Sequence, residues 1–292
     1  MTEKEARNIV KKFDENRCPS DDEVFIFIEA MDFLIKLKNN PADMLYLGGY
    51  YYEMKRFDLA LKYYEMAASL DYDPAYECLG YIWYYGRTGK RDFKKAFEYF
   101  SRLMDKGDLV STYKIADMYK NGYYVEKNQQ KYEEMIIELY PKVKDMNNVF
   151  DPVPEVFTRL ARIRKSQGEN EEAVRLYLYA KDFLAQRIRF NAFFGNLNMM
   201  KWLVDDLYEL IEFDEDYFDF FDLYYLLKTP HKIKFYYENE EYKLFSSMEG
   251  KECNVCFEGK WFHNRDDFFK DASIDNLKLT AIYNDLYGFE VE

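Results

Sequence analysis

Apolar and small residues recur along this chain at helical spacing, and the spacing itself repeats. Leu47, Gly48, Tyr51, Ala60, Tyr64 and Ala67 return as Leu160, Ala161, Arg164, Ala173, Tyr177 and Ala180 at identical offsets. Between them, Leu79, Gly80 and Trp83 are followed by Ala96, Phe100 and Leu103. Ile115, Ala116 and Tyr119 are followed in the same way by Tyr132, Ile136 and Leu139. In these two middle copies the second trio lies four residues further on. Steps of three and four put each trio on one helix face, so every copy predicts a helix, a turn and an answering helix. Such a unit buries its apolar face only against a neighbour. Four in succession predict a mainly α protein, a right-handed α-solenoid of helix-turn-helix repeats.

The flanks follow from the same reading. Thr2 with Glu5 forms a capping box opening a helix to about Lys12. Ser20 with Glu23 forms another, before an apolar face of Val24, Phe27, Ile28, Met31, Leu34 and Ile35. Residues 1–40 are expected to be an N-terminal helical cap over the open end of the stack. Repeats and closing helices are assigned to 41–212. The last closing helix runs from Leu197 to Ile211, with Met200, Leu203, Val204, Leu207 and Leu210 on one stripe. The turns of the middle copies grow into Gly86-Arg87-Thr88-Gly89 and Asn121 to Asn128, where glycine supplies positive φ. Asp151-Pro152-Val153-Pro154 ends a longer linker between the third and fourth copies.

The stretch Met118-Tyr119-Lys120-Asn121-Gly122-Tyr123-Tyr124-Val125-Glu126-Lys127-Asn128 resembles the signature of the Sel-one-like repeats, relatives of the tetratricopeptide repeats. Asn128 stands where that pattern has Asp, and Tyr132 where it has a small Ala, which implies adjusted packing in this unit. The first and fourth copies lack the longer loop and look like plain tetratricopeptide units. The resemblance covers residues 42–190. It implies a scaffold or adaptor without naming a partner.

After Ile211 the texture changes. Residues 213–228 are read as a connecting helix and 229–292 as a small α+β module of β-hairpins and two helices. Lys232 to Tyr237 and Tyr242 to Ser246 alternate around Glu238-Asn239-Glu240-Glu241, and a Glu258-Gly259 turn joins two further strands. Asn264 caps a short helix, and Leu277, Leu279, Ile282 and Leu286 are expected on a last amphipathic one.

Composition narrows the function. At 292 residues, 48% hydrophobic and 33% charged, the chain is a well-folded one. No apolar run approaches the roughly 18 residues of a membrane span, so no membrane insertion is expected. The start lacks a basic region and apolar core of the signal-peptide kind, and Cys18, Cys78, Cys253 and Cys256 are too scattered for a disulfide framework. Both point to a cytoplasmic, reducing location. A net charge of −13 repels phosphates, and the basic clusters Lys90-Arg91 with Lys94-Lys95 and Arg159 to Lys165 are local, so no nucleic-acid partner is expected. Aromatics reach 20%, with 29 Tyr and 25 Phe, and many occupy the packing positions of the repeats.

Candidate chemistry is thin. Cys253-Asn254-Val255-Cys256 has zinc-knuckle spacing, but in a strand residues three apart point to opposite faces, so structural cysteines are the expectation. His231 and His263 each border a strand with no adjacent nucleophile. Asp214-Glu215-Asp216 with Asp219 and Asp222 lacks the glycine and terminal glutamate of a calcium loop and reads as the solvated face of an amphipathic helix. No catalytic site, metal or cofactor is assigned, and the chain is expected not to be an enzyme.

Binding is assigned to the first helix of each repeat, at positions two before and two or five after the packing Leu or Ile. These are Leu45, Gly49 and Tyr52, then Glu77, Tyr81 and Tyr84, then Tyr113, Asp117 and Lys120, then Thr158, Arg162 and Lys165. The gradient from aromatic to basic would suit a peptide with apolar anchors and an acidic end. The expected function is a protein–protein interaction scaffold or adaptor with a protein or peptide on its concave face. Two alternatives remain: a small-ligand sensor or enzyme centred on the C-terminal module, and an acidic inhibitor or immunity-type protein binding a basic partner.

Overall fold

The computed structural model describes residues 1–16, 19–250 and 252–291; Cys18 lies outside them. The chain forms two compact units, residues 1–132 and 133–292.

The first unit begins with α1 (Glu3–Glu15) and α2 (Asp21–Lys38), each opened by its capping box. In α1 the Glu5 amide donates to Thr2 Oγ1 at 3.3 Å and the Thr2 amide to Glu5 Oε2 at 2.7 Å. These bonds to their ionised form hold the Glu5 and Glu23 carboxyls below their ordinary value. Asn39 ends α2 in the left-handed region (φ 48°), and Pro41 starts the next helix where its missing N–H costs nothing. Helix pairs follow: α3 (Pro41–Glu53) with α4 (Phe57–Ala68) and α5 (Asp73–Tyr85) with α6 (Phe93–Met104); α7 (Leu109–Asn121) comes next, and α8 (Gln129–Val143) starts in this unit and runs on into the second. Phe27, Leu34, Met44, Leu47 and Tyr63 form one buried cluster, and Ala60, Tyr64, Leu79 and Ile82 the next. Two repeat glycines are steric necessities. A Cβ on Gly48 would lie 2.6 Å from the Tyr64 ring, and one on Gly80 2.6 Å from the Phe100 ring.

The same hydrogen bond closes the turn of each of the four repeats. The residue before the second helix donates its amide to the carbonyl four residues after the packing Leu or Ile. Arg56 bonds Tyr51 at 2.8 Å, Asp92 bonds Trp83 at 3.0 Å, Asn128 bonds Tyr119 at 2.8 Å and Glu169 bonds Arg164 at 2.9 Å. The four-residue insertion of the middle copies bulges out between these fixed ends, starting at Gly86 (φ 64°) or Gly122 (φ 69°).

The second unit holds α9 (Val153–Ser166), α10 (Asn170–Phe190) and α11 (Phe194–Leu207). The expected helix over 213–228 is replaced by a 3-10 turn (Phe220–Asp222) and one α-turn, α12 (Leu223–Leu226). The cause is local: Asp side chains bond nearby amides and compete with the helix. Asp214 Oδ1 accepts from the Asp216 amide at 3.0 Å, and Asp219 Oδ1 from the Phe221 amide at 2.8 Å.

Five antiparallel strands then form a sheet in the order β4-β3-β2-β1-β7. They are β1 (Lys232–Tyr237), β2 (Glu240–Glu249), β3 (Glu252–Phe257), β4 (Lys260–Phe262) and β7 (Tyr287–Val291). The turns at Glu238-Asn239 and Glu258-Gly259 hold both central residues at positive φ, as two-residue hairpins require. Asn264 caps α13 (Arg265–Asp271). The final stretch corrects the expected amphipathic helix. Asp275-Asn276 turns at positive φ between β5 (Ser273–Ile274) and β6 (Leu277–Lys278), and only α14 (Leu279–Ile282) and a 3-10 turn remain helical. The chain end instead fills the open edge of β1, with Ile233 paired to Val291. The sheet has no core of its own. Ile233, Phe235, Val255 and Phe257 join Phe268 and Phe269 in one cluster with Leu184, Ile188, Met200 and Val204 of α10 and α11. Among the described residues, no helix is long and apolar enough to cross a membrane.

Candidate partner-binding surface

In the first unit the selected positions gather into a tyrosine-rich face on α3, α5 and α7. Leu45 is half-buried, and Gly49 faces open space: among the described residues beyond its own stretch of helix, no atom lies within 4 Å of where a Cβ would stand. Tyr52 sits edge-on to Phe57 at 5.2 Å, and its hydroxyl accepts from Arg87 Nε at 2.9 Å. Tyr81 stacks on Tyr85 at 6.0 Å, and its hydroxyl lies 3.1 Å from that of Tyr113. Tyr84 meets Phe93, Phe100 and Tyr123 edge-on. Glu77 is half-buried one turn before Tyr81. Burial, then the Tyr113 hydroxyl and the Glu77 charge, hold the Tyr81 phenol well above its ordinary value, so it stays neutral. Asp117 takes Asn121 Nδ2 on its backbone carbonyl at 2.7 Å, and the Lys120 ammonium lies 4.9 Å from the Tyr132 ring centroid.

Tyr113 needs correction as a surface residue. It is 3% exposed and supports Tyr81 from beneath. Residues that the repeat spacing did not select also shape the face: half-buried Tyr85 and Arg87 on it, and Lys114 buried behind it. Lys114, 4% exposed, donates to the Tyr85 hydroxyl at 2.8 Å. A mid-helix lysine reads as solvated in sequence. The one available signal was the Tyr84-Tyr85 pair on the preceding first helix.

The fourth copy lies in the second unit. Thr158 is buried at 4% exposure. Arg162 Nε donates to Asp206 at 2.7 Å, and Lys165 Nζ to Glu209. Both cations are therefore answered by carboxylates of the α11 region.

The acidic run also differs from a solvated face. Lys181, 6% exposed, donates to Asp219 at 2.8 Å and to Asp222 at 2.6 Å, and Asp222 is itself buried. Burial pulls the Lys181 pKa down, but the two carboxylates outweigh it and the net direction is up. Burial, then the Asp219 charge, raises Asp222 against the pull of Lys181. This clamp borders a cleft of 680 Å³ lined by Asp182, Arg189, Phe221 and Tyr283 among others.

Cys253 and Cys256 are buried free thiols. Cys256 lies on the ladder between Phe245 and Trp261, whose rings meet edge-on at 5.7 Å, whereas Cys253 Sγ approaches the Thr229 carbonyl at 3.8 Å. His231 Nδ1 lies 3.0 Å from the same carbonyl, and His263 is exposed. Among the described residues, no group of three or more His, Cys, Asp or Glu could hold a metal ion.

Fold and surface together define a helix-pair repeat protein, mainly α, carrying a small α+β module. Among solved structures it is similar to a Sel1 repeat protein from Oxalobacter formigenes at 18% identity, over 73% of this chain and 79% of that one, with a TM-score of 0.45. It is also similar to c5321, a protective antigen of uropathogenic Escherichia coli displaying an SLR fold, at 15% identity over 65% and 46% of the two chains, TM-score 0.40. A third is PilW, a type IV pilus biogenesis factor, at 14% identity over 73% and 95%, TM-score 0.43. No family model and no curated protein matches the sequence. Within each unit, helices packed in sequential pairs build the repeats.

Proposed function

We propose that this chain is a non-enzymatic scaffold or adaptor that binds a protein or peptide on the tyrosine-rich face of α3, α5 and α7. The observation that carries this reading is the state of Tyr52, Tyr81 and Tyr84. Each is half-buried, with its ring held by neighbouring aromatics. Rings fixed in this way lose little side-chain entropy on binding, which is what an interface anchor requires. Arg162 and Lys165, already engaged by Asp206 and Glu209, leave the proposal centred on the first unit. A cytoplasmic location belongs to the same proposal.

Alanine at Tyr81 or Tyr84 is a poor test, because both rings also pack on Phe100. Gly49 is a better position, since a side chain there meets open space. Gly49→Trp should abolish affinity capture of a partner from native lysate, with melting temperature unchanged or raised. Capture undiminished in this variant would remove the face from consideration.

The cleft beside Lys181 favours a second reading, a small-ligand sensor. Its 680 Å³ lies within the range of small-molecule sites, and it pairs charged Asp182 and Arg189 with the apolar ring of Phe221. A metabolite that raised the melting temperature of wild type but not of Arg189→Ala would support this reading over the scaffold.

A further inference from the structure

Lys114 is the most unusual charge in the first unit. It is 4% exposed, and among the described residues no carboxylate lies within ion-pair distance of its ammonium. Mid-helix lysines ordinarily extend the charge to water along the aliphatic stem. This one instead lies 4.9 Å from the ring centroids of Tyr81 and Tyr85, 5.2 Å from Tyr84 and 5.3 Å from Tyr113. Ring faces offset part of the desolvation cost of an ammonium, but they bring no countercharge. The Tyr85 ring also carries a second cation, with Arg87 Cζ 4.6 Å from its centroid. Two positive groups thus share one ring, in a chain whose net charge is −13.

Hydrogen-bond direction adds to the charge. An ammonium only donates, so the Tyr85 oxygen is the acceptor in its 2.8 Å bond to Lys114. The phenol hydrogen remains to be donated elsewhere. The Tyr52 hydroxyl likewise accepts from Arg87 Nε, at 2.9 Å. The half-buried rims of Tyr52 and Tyr85 are therefore phenols each backed by a cation.

We propose that this face binds its partner through an acidic side chain, whose carboxylate takes the Tyr85 hydroxyl hydrogen and supplies the countercharge that the Lys114 ammonium lacks among the described residues. The proposal rests on the scaffold reading above and specifies the partner: a peptide segment bearing Asp or Glu beside an apolar anchor. Lys114 is buried among the rings, so the attraction acts at contact range, where a charge-assisted hydrogen bond is strongest. Beyond contact range the net charge of the chain repels acidic molecules in general. Selectivity for a carboxylate on an apolar anchor follows.

The test uses the full chain and a random twelve-residue peptide library displayed on phage. Selected peptides should be enriched at least about two-fold in Asp and Glu over the input, and their synthetic copies should bind Lys114→Met about ten-fold more weakly. Met keeps the stem and removes the charge, so the melting temperature should hold or rise. Tyr85→Phe, which keeps the ring, should weaken the same peptides and guards against a folding defect in the first variant. Enrichment in Lys or Arg, recovery of no binder, or unchanged affinity in both variants overturns the proposal. Neutral peptides that bind Lys114→Met normally but fail on Gly49→Trp would overturn it while leaving the scaffold reading intact.

Discussion

Lys114 and Lys181 both sit mid-helix with their ammonium groups withdrawn from water, and only Lys181 meets carboxylates. Its partner Asp222 is buried too, so removing the lysine strands a negative charge in a poorly solvated place. Lys181→Met should therefore cost about 3 kcal/mol of unfolding free energy, measurable by urea denaturation, because breaking a buried pair from one side is the expensive direction. A loss under about 1 kcal/mol would mean that water reaches the clamp. Neither lysine was legible as buried from sequence. Periodicity reports which face of a helix is apolar, whereas both charges are kept by partners remote in the chain: tyrosines of α5 for one, the Asp219–Asp222 turn for the other.

At the scale of the element, adjacent glycines separate packing from propensity. Gly48 lies beneath the Tyr64 ring, and Gly49 beside it faces open space. Gly48→Ala should lose about 1–2 kcal/mol, since overpacking outweighs the gain in helix propensity. Gly49→Ala should gain up to about 1 kcal/mol from propensity alone. Melting curves of the two variants, moving in opposite directions, check both. The repeat pattern made Gly48 readable as a site of close approach, and the capping boxes of α1 and α2 and the hairpin turns were readable for the same reason: each is decided by residues a few positions apart. The failures came where distant pairing decides. The segment from Leu277 to Leu286 has helical spacing, yet the open edge of β1 draws the following residues into β7, and Gly288 enters that strand at φ 64° against the Tyr236 ring.

At the scale of the whole chain, the sheet and the last repeat helices are one body of apolar contacts. Leu184, Ile188, Met200 and Val204 share a cluster with Phe235, Val255 and Phe268. Ending the chain at Leu227 would uncover that face of α10 and α11. The truncated protein should bind a hydrophobic dye and self-associate in size-exclusion chromatography. A monomeric, dye-silent product would show the sheet to be dispensable. Sequence alone marked the change of texture after Ile211 and a separate module from residue 229, but could not show that the module and the preceding helices share a core. An α+β stretch of this length is marginal alone, and the helices it packs on come earlier in the chain.

The bond that closes each turn, from the residue before the second helix back to the Tyr51, Trp83, Tyr119 or Arg164 carbonyl, makes loop length a free variable. Both helix ends are pinned by the same contact with or without four extra residues, so neighbouring helices receive no information about what was inserted. New chemistry can accumulate at these points, by drift or by design, while the architecture around them stays in register.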